Sequence, residues 1–197
     1  MTGIVDYGMG NLRSVQKAFE YLGERCAICS DTQALEGCSR LVLPGVGSFA
    51  AGMRCLHEKG FDDYLRRRAD DTPLLGICLG MQFLLEESDE EGVHRGLGLI
   101  SGRAERFTQG KIPHTGWNGV YGLRSPLFAD IPDGAQFYFV HSYRATTAGQ
   151  EAIATCEYYT EFAAAVNKGN VYGVQFHPEK SGERGLQLLA NFLRIGT

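Results

Sequence analysis

Residues 73–82 read Pro73-Leu74-Leu75-Gly76-Ile77-Cys78-Leu79-Gly80-Met81-Gln82, and the architecture of the chain follows from this segment. An apolar strand runs into Gly-x-Cys-x-Gly, and a helical pattern begins directly afterwards. This strand-turn-helix order is that of a nucleophile elbow, with cysteine as the nucleophile. The glycines permit a tight turn and close packing of strand against helix. We therefore predict that Cys78 is a catalytic nucleophile, held in a strained backbone conformation at a helix N-terminus. The Leu79 N–H points into the same space and is predicted to donate to an oxyanion.

A second motif, Val171-Tyr172-Gly173-Val174-Gln175-Phe176-His177-Pro178-Glu179, joins a histidine to a carboxylate. Pro178 keeps His177 extended, and residues two apart in an extended segment project to the same side. Glu179 is therefore predicted to orient the imidazole of His177. His177 would then take a proton from Cys78 and return it to the leaving group. Alone, His-Pro-Glu is equally typical of a surface turn, but its pairing with the elbow favours a Cys-His-Glu triad.

The composition is that of an ordinary globular protein. Of the 197 residues, 44% are hydrophobic and 21% are charged, and the net charge is -4. The acidic balance argues against binding to nucleic acid or to an anionic membrane. No apolar stretch reaches membrane-spanning length and no signal peptide is visible, so we expect a cytoplasmic protein. The length predicts one domain over residues 1–197.

The six cysteines lie in apolar contexts, and this distribution is typical of reduced cysteines in intracellular proteins. Cys26 and Cys29 form a Cys-x-x-Cys within a predicted strand. An offset of three places them on opposite faces, which argues against a shared metal or a disulfide. The histidines show no metal-ligand spacing, and we expect neither a metal nor a cofactor.

Strand and helix patterns alternate in the first half, which predicts a mostly parallel central sheet flanked by helices, an α/β fold. Asn11 and Ser181 are predicted to cap the first and last helices. From Gly96 to Val174, short strands dominate and predict an added small antiparallel or mixed β region. At least one of these strands should rejoin the main sheet before His177.

The loop Pro44-Gly45-Val46-Gly47-Ser48 follows the third predicted strand. Sites in open parallel sheets form at the carboxyl ends of the strands, where Cys78 and His177 are also expected. Gly45 and Gly47 would let the backbone approach a ligand closely. A plain turn is the alternative, but beside an elbow the Val46 N–H becomes the natural second oxyanion donor.

These motifs together resemble the class I (triad) glutamine amidotransferases, whose fold is flavodoxin-like. The resemblance covers essentially the whole chain. Three further segments, at residues 6–12, 113–118 and 138–143, look like the glutaminase subunits of imidazole glycerol phosphate synthase, from histidine biosynthesis. Thr115 stands where methionine is common in that group.

The resemblance implies that Cys78 attacks the side-chain amide of glutamine and that the thioester is then hydrolysed with help from His177. It also implies that Gln82 and the main chain of His141, Ser142 and Tyr143 bind the α-amino and α-carboxyl groups of glutamine. His141 competes as general base, but it lacks an adjacent orienting carboxylate.

Ammonia is protonated and lost at neutral pH, so a biosynthetic glutaminase needs a second site that uses it. The resemblance implies a heterodimer with a (β/α)8-barrel cyclase subunit, which forms imidazole glycerol phosphate and an aminoimidazole carboxamide ribotide. By the same analogy, Asn11, Trp117 and Lys180 are interface candidates. A half-buried core position is the alternative for Trp117.

Three other interpretations remain open at this point. The chain could serve another class I amidotransferase, such as that of anthranilate or pyridoxal phosphate synthesis. It could be a free-standing cysteine hydrolase on a similar sheet, or a binding module that has lost activity. The intact Cys78, His177 and Glu179 argue against the last of these.

Overall fold

The computed structural model describes residues 1–147 and 150–196. The strands are β1 (Thr2–Val5), β2 (Cys26–Cys29), β3 (Arg40–Gly45), β4 (Leu74–Cys78), β5 (Glu87–Ser88), β6 (His94–Arg95), β7 (Arg103–Arg106), β8 (His114–Val120), β9 (Ala135–His141), β10 (Tyr143–Thr146), β11 (Ala152–Tyr158), β12 (Thr160–Lys168) and β13 (Val171–Val174). The helices are α1 (Leu12–Tyr21), α2 (Thr32–Leu35), α3 (Phe49–Glu58), α4 (Phe61–Arg68), α5 (Leu79–Leu84) and α6 (Gly182–Arg194), with 3-10 turns at Pro126–Phe128 and Pro178–Lys180.

The first half of the chain forms a parallel sheet, as the alternation of strand and helix predicts. Its order is β2-β1-β3-β4-β13, and every neighbouring pair in it is parallel. Strand β13 is the one expected to rejoin the sheet before His177, and it pairs with β4. Because β3, β4 and β13 are adjacent and parallel, the segments that follow them meet at one edge of the sheet.

The added β region is confirmed, and most of its strands extend the main sheet. Beyond β13 the order continues β12-β10-β7-β5-β6, with β11 paired to β12. Of the pairings in this extension, β5 with β7 is parallel and the others are antiparallel. Strands β8 and β9 form a separate two-stranded antiparallel sheet.

Apolar side chains are buried on both faces of the central sheet. Along β3, Val42 faces a cluster that contains Phe19 of α1, whereas Leu41 and Leu43 face a cluster that contains Phe61 of α4. This alternation follows from the two-residue period of a strand, and burial on both faces is typical of parallel sheets with helices on each side. No helix among the described residues is long and apolar enough to cross a membrane.

The Cys-x-x-Cys of β2 is split between the two faces, as predicted. Cys29 is buried in the cluster that contains Phe61, and Cys26 packs against the opposite cluster. Burial raises the pKa of each thiol to about 11, which keeps both in the unreactive thiol form.

Glycines allow α5 to pack directly on the backbone of β3 and β4. A Cβ built at Gly80 would overlap the carbonyl oxygen of Leu43, and one at Gly45 would lie 2.5 Å from the Gly80 nitrogen. A Cβ at Gly76 would lie 2.7 Å from the Gly80 oxygen. Because these neighbours are backbone atoms, no rotamer change could relieve the overlap, and α5 would have to move away from the sheet.

We predict that Gly80→Ala lowers the free energy of unfolding by at least about 3 kcal/mol, because overpacking against backbone cannot relax. Gly37→Ala is the control: Gly37 has a φ of 79° and nothing near its missing Cβ, so only backbone strain of about 1 kcal/mol is expected. Urea unfolding measures both. Equal losses in the two variants would contradict the close packing of α5.

Candidate active site

Cys78 lies at the junction of β4 and α5 with an unusual backbone conformation. Its φ is 56° and its ψ is -114°, a region that side-chain-bearing residues rarely occupy. The residue is 6% exposed, so the sulfur is largely enclosed yet reachable from one side. This is the strained turn that the Gly-x-Cys-x-Gly pattern predicts.

The Cys78 sulfur has two polar neighbours besides the candidate triad. Sγ lies 3.8 Å from the Val140 carbonyl oxygen and 3.8 Å from Nε2 of Gln175. Gln175 is fully buried, and its Oε1 accepts a hydrogen bond from Nε2 of Gln82 at 3.0 Å. Sequence reasoning assigned no role to Gln175, although its position two residues before His177 could have drawn attention to it.

His177 and Glu179 form a buried pair. Nδ1 of His177 lies 2.9 Å from Oε1 of Glu179, and the two side chains are 3% and 1% exposed. Burial opposes a charge on His177, but the nearby Cys78 sulfur and the Glu179 carboxylate outweigh it and raise the pKa of His177 to about 9. Nε2 of His177 makes no hydrogen bond within the described residues, so it remains available to Cys78.

The backbone of His177 is fixed to β9. Its N–H donates to the Tyr138 carbonyl at 2.9 Å, and its carbonyl accepts from Oγ of Ser181 at 2.6 Å. The Tyr138 N–H in turn donates to the same Oγ at 3.0 Å. Ser181 occupies the N-cap position of α6, as predicted, but its hydroxyl makes no side-chain cap bond, because it is used to hold His177. Asn11 likewise precedes α1 without a side-chain cap bond.

His141 does not have a nitrogen free for Cys78. Its Nδ1 lies 2.7 Å from the Tyr143 carbonyl oxygen, and its Nε2 lies 3.0 Å from Nδ1 of His114. Burial lowers the pKa of His141 to about 3, so the ring is neutral at physiological pH. The sequence argument against His141 as the base rested on a missing carboxylate, and the occupied nitrogens give a second reason.

A cavity of about 360 Å³ opens over Cys78. It is lined by most of the residues singled out from the sequence: Val46, Gly47, Cys78, Leu79, Gln82, His141, Ser142, Tyr143, His177 and Lys180. Gly45 and Glu179 are not in the lining, because Gly45 is covered by α5 and Glu179 lies behind His177. Asn11 and Trp117 also lie outside it, and Trp117 is 55% exposed.

Glu90 lines the same cavity and was missed by the sequence analysis. Its carboxylate accepts a 2.5 Å hydrogen bond from the Phe49 N–H at the start of α3. In the sequence it belongs to the acidic run Glu86-Glu87-Ser88-Asp89-Glu90-Glu91, a pattern typical of a solvent-exposed segment. Only the pairing of β5 with β7 brings this run to the site.

The glycine loop after β3 lies beside the nucleophile. Gly45 is opposite Cys78 in the register of β3 and β4, and Gly47 has a φ of 97°. The buried Tyr7 hydroxyl makes no hydrogen bond within the described residues, and burial raises the pKa of Tyr7 well above its usual range. On the other side, Leu79 is the first residue of α5, so its N–H has no acceptor within that helix.

The chain matches the family described as "Glutamine amidotransferase class-I" over residues 3–195. It therefore belongs to that family. Among solved structures, a glutamine amidotransferase superposes with a TM-score of 0.80 at 21% identity, covering 99% of this chain and 98% of the other. The PurLQS structure from Thermotoga maritima gives a TM-score of 0.74 at 20% identity, covering 98% of this chain and 97% of the other. At these identities the likeness establishes the fold.

Relatives in sequence narrow the group. The chain is 49% identical to the imidazole glycerol phosphate synthase subunit HisH of Methylococcus capsulatus, over 97% of this chain and 94% of the relative. It is 45% identical to the same subunit of Chlorobium chlorochromatii, over 99% of this chain and the full length of the relative. Within the family, the chain thus stands with the HisH subunits.

We predict that Cys78→Ala and Cys78→Ser abolish glutamine hydrolysis without unfolding the chain, because they remove only the nucleophile. A glutamine analogue that alkylates thiols should label Cys78 in preference to the other cysteines, measured by peptide mass spectrometry. Burial raises the pKa of Cys156 to about 12, which makes it a suitable unreactive reference. Labelling of Cys26, Cys29 or Cys156 with Cys78 untouched would overturn the assignment.

Glu179→Gln should lower kcat/KM for glutamine by ~10²-fold and move the alkaline limb of its pH profile to lower pH. The reason is that the carboxylate helps raise the pKa of His177 to about 9. The same raised pKa also affects stability: protonated His177 adds to the free energy of unfolding. This contribution is complete below the ordinary histidine pKa of 6.5 and is lost as the pH rises through about 9. Glu183→Gln, at an exposed acid in α6, is the control. An unmoved alkaline limb in Glu179→Gln would contradict the pairing.

Proposed function

We propose that this chain is the glutaminase subunit of an imidazole glycerol phosphate synthase in histidine biosynthesis. It hydrolyses glutamine to glutamate and ammonia and passes the ammonia to a cyclase subunit, which forms imidazole glycerol phosphate and aminoimidazole carboxamide ribotide. The observation that carries the proposal is the arrangement of Cys78, His177 and Glu179. The strained cysteine shares a small cavity with a histidine whose far nitrogen is bound to a buried carboxylate.

In the first half-reaction, the Cys78 sulfur attacks the side-chain carbonyl carbon of glutamine. A carbon–sulfur bond forms and the carbon–nitrogen bond breaks, while His177 gives its proton to the departing amine, which leaves as ammonia. The raised pKa of His177, about 9, suits this step because it keeps the ring in its acid form at neutral pH. Glu179 stabilises that charge and holds the ring by Nδ1.

In the second half-reaction, His177 takes a proton from water, which attacks the thioester. The carbon–sulfur bond breaks, glutamate leaves, and the proton returns to the cysteine–histidine pair. In both steps, negative charge develops on the former amide oxygen. The N–H groups of Leu79 and Val46, one on each side of Cys78, are the proposed donors to it.

Glutamine is held by the rest of the cavity lining. The Glu90 carboxylate is suited to the α-ammonium group, and backbone N–H groups of residues 142–143 are suited to the α-carboxylate. The Gln82 amide is fixed by bonds to the Tyr143 carbonyl and to Gln175, so it reaches the cavity in one orientation. Gly47 allows the loop backbone to lie close to the substrate.

The proposed docking face for the cyclase surrounds Trp117. Its indole packs edge-on against Tyr138 with ring centroids 6.1 Å apart, and Nζ of Lys180 lies 5.9 Å from the Tyr138 ring centroid. Tyr138 is bonded through its backbone to His177. Asn11, at the start of α1, is the third candidate contact. Trp117 and Lys180 both contact Tyr138, and Tyr138 is hydrogen-bonded to the proposed catalytic histidine. This exposed surface is therefore suited to a partner that controls activity.

We further propose that residues 1–197 act as one glutamine amidotransferase domain, since both core clusters flank one sheet. We place its action in the cytoplasm, because all six cysteines are unpaired and free thiols persist in reducing compartments.

The chain alone should be a poor glutaminase, and the cyclase subunit with its nucleotide substrate should raise turnover by at least ~10²-fold. This factor is the usual value of one oxyanion donor, and the glycines on both sides of Val46 allow the peptide that carries its N–H to change orientation. Ammonia release would be measured for the chain alone, for the complex, and for the complex with nucleotide. Full activity of the isolated chain would favour a free-standing hydrolase instead.

Titrating the cyclase subunit into the same ammonia-release assay gives the dissociation constant of the complex and so tests the docking face. Trp117→Ala should weaken the complex by at least about tenfold, as is typical of a buried aromatic anchor. Tyr121→Ala is the matched control, because Tyr121 is a comparably exposed aromatic at 50% against 55% for Trp117. Equal effects of the two substitutions on the dissociation constant would remove Trp117 from the interface.

A further inference from the structure

Two histidines that the proposed mechanism does not use form a buried pair beside the cavity. His114 and His141 lie opposite each other in the register of β8 and β9. Nδ1 of His114 is 3.0 Å from Nε2 of His141, and the residues are 3% and 6% exposed. A buried histidine pair needs one nitrogen to donate and the other to accept, so the protonation of one ring determines that of the other.

The hydrogen bonds around the pair fix both tautomers. Nδ1 of His141 is 2.7 Å from the Tyr143 carbonyl oxygen, which can only accept, so this nitrogen carries the proton. Nε2 of His141 then accepts, and Nδ1 of His114 donates to it. Nε2 of His114 accepts in turn from Nδ2 of Asn118 at 3.3 Å. Burial lowers the pKa of His114 to about 4 and that of His141 to about 3, which keeps both rings neutral.

The far end of this chain of bonds is also fixed. Nδ2 of Asn118 donates to the Glu157 carbonyl at 2.9 Å, and its Oδ1 accepts from the Gly119 N–H at 2.8 Å. These two contacts settle the orientation of the amide. Nδ2 therefore faces His114 as a donor, in agreement with the tautomers assigned from the other end.

Aromatic rings prevent the pair from turning. The His114 ring is stacked on Tyr158 at 4.0 Å and 20°, and on Phe139 at 4.9 Å and 24°. Phe107 and Phe162 pack against His141 with centroids 5.3 and 5.2 Å away. The donor on His114 is thus presented to His141 in a single direction.

The chain continues to the nucleophile. The Tyr143 carbonyl that accepts from His141 also accepts from Nε2 of Gln82 at 3.1 Å. Gln82 donates to Gln175, whose Nε2 lies 3.8 Å from the Cys78 sulfur. His141, Tyr143 and Gln82 all line the cavity, whereas His114 does not.

We propose that His114 is a positioning residue for the binding of glutamine: through His141 it fixes the Tyr143 carbonyl, and with it the cavity rim at residues 141–143 and the Gln82 amide. The identity of the ligand rests on the proposed function. The observation that carries the inference is the uninterrupted series of buried and partly buried hydrogen bonds from Asn118 to Cys78, whose donors and acceptors agree at every step.

The first test removes the donor while keeping the ring stack. His114→Phe should weaken glutamine binding to the Cys78→Ala protein about tenfold, measured by calorimetry, because it leaves the buried Nε2 of His141 without a donor. His114→Asn places an amide nitrogen near the position of Nδ1 and should restore most of the affinity. Tyr158→Phe is the matched control: it stays in the same stack but loses only the bond to the Lys111 carbonyl, and affinity should not change.

Steady-state kinetics of the complex with the cyclase subunit separate positioning from a merely structural role. In His114→Phe, KM for glutamine should rise about tenfold while kcat changes much less. A structural defect would instead reduce the fraction of active enzyme, lowering the apparent kcat with KM unchanged, and that result would overturn the proposal. So would equal affinities in the His114→Phe, His114→Asn and unsubstituted proteins.

The tautomers can be tested without any substitution or activity. Nitrogen-15 NMR of the histidine-labelled protein should show both rings neutral and protonated on Nδ1 from about pH 6 to about pH 8. A proton on Nε2 of His141, or a charged His114, would overturn the inference. Failure of the proposed function would appear differently, as an absence of glutamine binding and hydrolysis in the unsubstituted protein with the NMR result unaffected.

Discussion

The close contact of α5 with the backbone of β3 and β4 is the constraint on which the site depends. Gly45, Gly76 and Gly80 meet without side chains between them, and no larger residue fits. This contact forces the chain to turn sharply at Cys78, which accounts for its positive φ and for the direction of its side chain. It also sets the glycine loop after Gly45 beside the sulfur, since Gly45 and Cys78 are register partners. The glycines that allow the close packing thus also set the geometry of the proposed active site.

Two histidines near Cys78 are held in opposite protonation states by their partners. Both are buried, and burial alone disfavours the charged ring of each. At His177, the sulfur of Cys78 and the carboxylate of Glu179 reverse this effect. His141 has only a carbonyl and a neutral histidine as partners, and the charge on His177 further disfavours a second charge nearby. The environment therefore favours the charged ring at His177, which suits the proposed proton transfer, and the neutral ring at His141.

The sequence predicted the parts of the site that depend on local geometry. The elbow at Cys78, the two-residue offset from His177 to Glu179 and the loop at Val46 each follow from the conformation of a few consecutive residues. Glu90, Gln175 and His114 were not assigned roles because their positions depend on strand pairing between distant segments. Glu90 needs the pairing of β5 with β7, and His114 needs the register of β8 with β9. An isolated buried histidine or glutamine carries no periodic signal that would reveal its partner.

The register of β8 and β9 links the substrate rim to the proposed docking face. His114 pairs with His141, and three residues along, Trp117 pairs with Tyr138. Because an odd offset along a strand reverses the side-chain direction, the two pairs face opposite sides of the hairpin. The register that buries His114 at 3% exposure therefore also leaves Trp117 at 55%. A slip of one residue would exchange the two faces, placing an unpaired histidine in solvent and an indole against the cavity rim. The hydrogen-bonded histidine pair thus helps to specify the surface as well as the site.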